Sequence, residues 1–130
     1  MVVWALFLVA CGGRGKAFLP PVGGDTLALR RAGNLVIVDY PEGYSVVTLR
    51  NPWDTLRTLH TYVLVPKDRP LPDSLPAGTL VRTPLARSLV YSSVHCGLLA
   101  DLGVADAIGG VCDLRYIRLP QVVDRHVRGE

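Results

Sequence analysis

A chain of 130 residues with 49% apolar and 19% charged residues has a globular composition, which excludes an intrinsically disordered protein. Fourteen basic and eleven acidic residues give a net charge of +3 without long runs of one sign, a mild excess that argues neither for nor against a nucleic-acid partner; no basic stripe with interleaved aromatics is present, and no nucleic-acid partner is expected. Ten prolines and thirteen glycines imply many turns and short elements. The cysteine count of three (Cys11, Cys96, Cys112) implies that one cysteine has a different job from the other two.

The chain opens on an uncharged apolar run, Val2 to Ala10 (VVWALFLVA). It falls far short of the ~20 residues that cross a bilayer as a helix, but it suits the apolar region of a signal peptide. It ends in Leu8-Val9-Ala10-Cys11, followed by Gly12-Gly13, and no Lys or Arg precedes it. This resembles the bacterial lipoprotein signal, in which small residues precede a cysteine whose thiol receives a diacylglyceryl group. The resemblance implies a signal peptide over 1–11, lipidation at Cys11, export, and a lipid anchor that holds the protein at the bacterial membrane facing the periplasm. The competing reading is a buried N-terminal strand or helix ending in a core cysteine. The following GGRGKAFLPPVGGD, residues 12–25, has tether composition, and a flexible tether is expected over 12–33. Fourteen such residues would span roughly 20 Å root-mean-square.

A small antiparallel β module is expected over 34–84. Leu35 to Tyr40 and Tyr44 to Leu49 are rich in β-branched and aromatic residues and flank Pro41-Glu42-Gly43, as a hairpin would. After Asn51-Pro52-Trp53-Asp54, the run Thr58 to Val65 alternates. Leu59, Thr61, Val63 and Val65 are expected on one face, and His60, Tyr62 and Leu64 on the other. Prolines at 66, 70, 72 and 76 interrupt regular structure before a last short run, Thr79 to Arg82. Trp53 is expected to pack under the sheet, or else to face a flat ligand from its loop. His60 reads as a strand residue rather than a ligand.

The segment from Arg87 to Asp113 carries a strand–helix–strand pattern. Ser88 to Tyr91 is a short apolar run suited to a buried parallel strand. Ser92-Ser93 can cap a helix through a hydroxyl. Val94, Leu98, Leu99 and Leu102 recur at helical spacing, and Gly103 ends the helix. A short turn over Val104 to Ile108 leads to a second strand at Gly109-Gly110-Val111-Cys112. The connection is long enough for a parallel crossover.

These residues resemble the entry to the N-terminal lobe of periplasmic substrate-binding proteins for iron-siderophores, haem and cobalamin. The shared elements are the Ser92-Ser93 loop, Leu99-Ala100-Asp101-Leu102-Gly103, and Ile108-Gly109-Gly110-Val111. The upstream module and Asn51-Pro52-Trp53-Asp54 also look like iron-complex lipoproteins of gut Bacteroides-type bacteria. The fold class implied is α/β: a small antiparallel β module, then over 85–130 the first βαβ unit of a periplasmic-binding-protein lobe, incomplete and truncated after it. The function implied is the substrate-binding component of an ABC importer, with an ABC permease as partner, a siderophore, haem or cobalamin as ligand, and no intrinsic cofactor. As half a cleft, the chain is expected to bind weakly alone. Ligand contacts are expected from Ser92, Ser93, His95, Asp113, Arg115 and Tyr116, with Arg118 available and Trp53 as an aromatic face. The alternative is a structural or interaction lipoprotein that kept half a binding fold without a transport role.

The same residues invite other chemistries. His95-Cys96 and Cys112-Asp113 invite a metal reading, but neither Cys-x-x-Cys nor His-x-x-x-His spacing occurs, and no metal is expected. A Cys96–Cys112 disulfide and two buried free thiols both remain open. No Gly-x-Ser-x-Gly elbow supports Ser93 or Cys96 as a nucleophile, and the chain is expected not to be an enzyme.

Overall fold

The computed structural model describes residue 17 and residues 22–129. Cys11 and the predicted signal segment lie outside them. The chain divides into two compact units, Met1–Arg82 and Thr83–Glu130, and the fold is mixed α/β.

The first unit carries a sheet in the order β1 (Asp25–Thr26), β2 (Leu35–Asp39), β3 (Ser45–Asn51), β4 (Asp54–Pro66) and β5 (Thr79–Thr83). β1 to β4 pair antiparallel in sequence order. Strand alternation builds the core directly. Val38, Val46 and Val63 are successive register partners across β2, β3 and β4, and each is buried. A Val side chain removed fully from water stabilises by about 1.5–3 kcal/mol, so this row is a main source of the sheet's stability. Thr48, buried beside the row, faces Thr61. Arg82 Nη2 ties down the β4–β5 connection by donating to the carbonyls of Pro66, Lys67 and Arg69 at 3.0, 3.0 and 2.8 Å.

Three expectations change here. Part of the segment assigned to a tether, Asp25–Thr26, is a strand paired with Asp39 and Val38. Leu59 is 54% exposed instead of sharing the Val63 face. The β3–β4 register shifts between Leu49 and Arg50 and again between Arg50 and Asn51, and such bulges turn side chains away from the face that alternation assigns them. Trp53 does not pack under the sheet: it stands in the β3–β4 turn, 86% exposed.

In the second unit β6 (Ser88–Val90) and β7 (Ile108–Val111) pair in parallel and are joined through helix α1 (Ser93–Asp101) and a 3-10 turn at Ala105–Ala107. Gly103, at φ 73°, closes α1: its amide donates to Ala100 O at 2.9 Å, and Val104 donates to Leu99 O at 2.9 Å. This is the paired C-terminal closure that a left-handed glycine permits. The pattern assigns no element after Asp113, yet a 3-10 turn at Leu114–Tyr116 and helix α2 (Pro120–Val127) follow. Pro120 occupies the first turn of α2, where its missing N–H costs nothing, and Gly129, at φ 74°, follows the helix end.

The core of this unit joins Val90, Cys96, Ile108, Ile117 and Val122, with Leu99, Val111, Leu114 and Leu119 packed against it. α1 therefore presents the Cys96–Leu99 side to the core. Val94, Leu98 and Leu102, at i, i+4 and i+8, are exposed. Among the described residues no helix is long and apolar enough to cross a membrane.

Candidate functional site

Parallel pairing sends the chain out of β6 and β7 at the same edge, because both strands run the same way. In open α/β sheets this carboxyl edge is where ligands bind. Here it carries Tyr91 to His95 after β6 and Cys112 to Tyr116 after β7. The Cys112 amide donates to Val90 O at 3.3 Å, continuing the ladder one step past the strand ends. The two loops therefore leave the sheet side by side.

Ser92 is the N-cap of α1. Its Oγ accepts from the His95 amide at 3.5 Å and lies 2.9 Å from His95 Nδ1. The cap holds one first-turn N–H and steers the imidazole back over the helix start. Ser93 is exposed in the first turn, and His95 is exposed beside it.

After β7, Asp113 performs a similar local job. Its Oδ1 accepts from the Arg115 amide at 3.1 Å and from Arg115 Nε at 3.1 Å, while Oδ2 takes Arg115 Nη2 at 2.8 Å. This forked pair, together with the amide bond, holds the Asp113 carboxyl below its ordinary value, against a smaller opposing effect of burial. The Arg115 guanidinium carbon lies 5.6 Å from the Tyr116 ring centroid, so one arginine bridges carboxylate and aromatic face. Arg115 and Arg118 border an open depression of about 550 Å³ that Ile117, Pro120 and Asp124 also line.

Of the expected ligand residues, Ser92, Ser93, His95, Asp113, Arg115 and Tyr116 stand at this one edge. Trp53 is a residue of the first unit, and the site is composed of second-unit residues alone. Tyr91, which the sequence places at the end of a buried strand, is 81% exposed at the same edge. Its legible signal was its place immediately before the helix cap, where the strand has already ended.

The neighbours His95 and Cys96 diverge, Cys96 being buried in the core and His95 exposed. Both described thiols are free, Cys96 buried and Cys112 exposed, so the cysteine pair is neither bridged nor wholly buried. Burial pushes the Cys96 thiol up, away from the thiolate form. Among the described residues no group of three or more His, Cys, Asp or Glu side chains could hold a metal ion. The edge offers aromatic faces, an arginine fork and hydroxyl and imidazole groups, a set suited to reversible recognition of a flat or anionic molecule. Comparison of the chain with protein-family models, with curated proteins and with solved structures returned no match.

Proposed function

We propose that this chain is a lipid-anchored, substrate-binding protein of an ABC importer for iron complexes or corrinoids. The ligand meets the carboxyl edge of β6 and β7, and Cys11 carries the anchor on the periplasmic face of the membrane. The observation that carries the reading is the parallel β6–α1–β7 unit. It sets Tyr91, Ser92 and His95 beside Asp113, Arg115 and Tyr116. Tyr91 and Tyr116 supply flat faces for a macrocycle or catecholate, and Arg115, oriented by Asp113, supplies its remaining guanidinium N–H donors to an anionic chelate. An ABC permease is the partner that would receive the ligand.

Equilibrium dialysis of the full chain against a ferric siderophore, haem and cobalamin tests this reading. One class should be retained, with affinity reduced at least tenfold by Arg115→Ala. Equal exclusion of all three at millimolar concentration refutes the assignment.

A further inference from the structure

The first unit has one end unlike the other. At the β3–β4 turn, Trp53 is 86% exposed and Leu56 is 80% exposed. Neither is loosely held. The Trp53 amide donates to Asn51 Oδ1 at 3.0 Å, the Leu56 amide donates to Asp54 Oδ1 at 3.2 Å, and Arg57 pairs with Asp54 at 3.0 Å. These bonds fix the backbone of the tip while its two large apolar side chains point out. Arg30 and Arg31, both exposed, belong to the same end: Asn34 of their loop accepts from the Arg50 amide at 2.8 Å, just before the turn. The opposite end, around the β2–β3 turn, carries charge of both signs: Asp25, Asp39 and Glu42, with Arg69 against Gly43 of the turn.

A tip with an exposed tryptophan and leucine, flanked by exposed arginines, matches the chemistry of a bilayer interface with anionic headgroups. Tryptophan prefers that boundary, and each nearby arginine gains from the surface potential. A second observation points to the same occupant. Ala17 forms an antiparallel bridge with Arg57, which immediately follows Leu56. Cys11 precedes Ala17 by six residues, a reach of at most about 21 Å even when fully extended. A lipid on Cys11 would thus enter the membrane within reach of this tip.

We infer that the β3–β4 tip, through Trp53 and Leu56 with Arg30 and Arg31, docks on the anionic lipid surface of the membrane that holds the anchor. The inference rests on the lipoprotein reading for which membrane is met, but its chemistry does not require acylation. The tip acts as a second foothold, setting the first unit in one orientation on the bilayer.

The test uses the full chain with Trp4→Phe, which leaves Trp53 as the sole tryptophan. It is bound to vesicles of brominated phosphatidylcholine with and without phosphatidylglycerol. Trp53 emission should shift to the blue and be quenched, more so with phosphatidylglycerol. Arg30→Ser and Arg31→Ser should each lower the docked-to-free ratio about fivefold. The same quenching in a Cys11→Ser chain separates the tip from the anchor, and a Cys11 without acyl mass in the chain that keeps it would refute the anchor alone. Membrane-bound protein whose Trp53 stays unquenched overturns the inference. So does a blue shift that depends on protein concentration without vesicles, which would assign the tip to a second copy.

Discussion

Val90 and Val111 are register partners on parallel strands, and the residue after Val111 donates its amide back to the Val90 carbonyl at 3.3 Å. That relationship decides where the chemistry lies. Had the two runs been antiparallel, Ser92 and Asp113 would leave the sheet at opposite ends.

Ser92→Ala removes the N-cap of α1 and should destabilise the second unit by about 1 kcal/mol, whereas Ser92→Gly should cost only a few tenths. Hydrogen exchange of the α1 amides checks this. Protection should fall in the alanine variant and nearly recover in the glycine variant.

Asp113 has its carboxyl held below the ordinary range by Arg115. A depressed carboxyl contributes its stabilisation fully above its unfolded value, and loses it as pH falls through the lower folded value. The pair should therefore persist through the usual carboxylate range and open only in stronger acid. Side-chain carboxyl NMR of Asp113 should show a midpoint below that of an ordinary aspartate, and Arg115→Ala should return it to the ordinary range.

Cys112 is exposed and Cys96 is buried with its thiol pushed up. Native alkylation with iodoacetamide at pH 8 should label Cys112 and spare Cys96 until denaturant is added. Fragment-ion mass spectrometry locates the label, and equal labelling of both thiols would contradict the core assignment.

Val63→Ala truncates the β4 member of the Val38–Val46–Val63 row, a side chain only 1% exposed. Lost transfer energy and a residual cavity should together cost about 2–3 kcal/mol. Denaturant unfolding measures it, with Val22→Ala, at an 86% exposed position, as the neutral control.

Alternating Val, Thr and Leu made β2, β3 and the inner half of β4 legible, because a two-residue period on a half-buried sheet has one solution. Leu59 and Trp53 were not legible, since a bulge and a turn shift the phase and a pattern cannot show where pairing slips. In α1, of the four apolar residues at helical spacing, Val94, Leu98, Leu99 and Leu102, Leu99 packs against the core and the other three are exposed. The core takes Cys96 and Leu99, because so short a helix rests on a two-stranded sheet and cannot bury both sides. The cap at Ser92 and the stop at Gly103 were readable because each depends on one residue's local chemistry. α2 went unread although Pro120 and Gly129 bracket it, its apolar positions being few. Arg115 and Asp113 were named as candidates, but their mutual fork depends on a turn that spacing alone does not specify.

Backbone amide NMR of the full chain, titrated with a ferric siderophore, haem and cobalamin in turn, tests most directly whether the two loops form one site. For one ligand class, the amides of 91–95 and 112–116 should shift together along a single saturation curve. Shifts confined to one loop, shifts elsewhere in the chain, or none with any of the three would contradict the account.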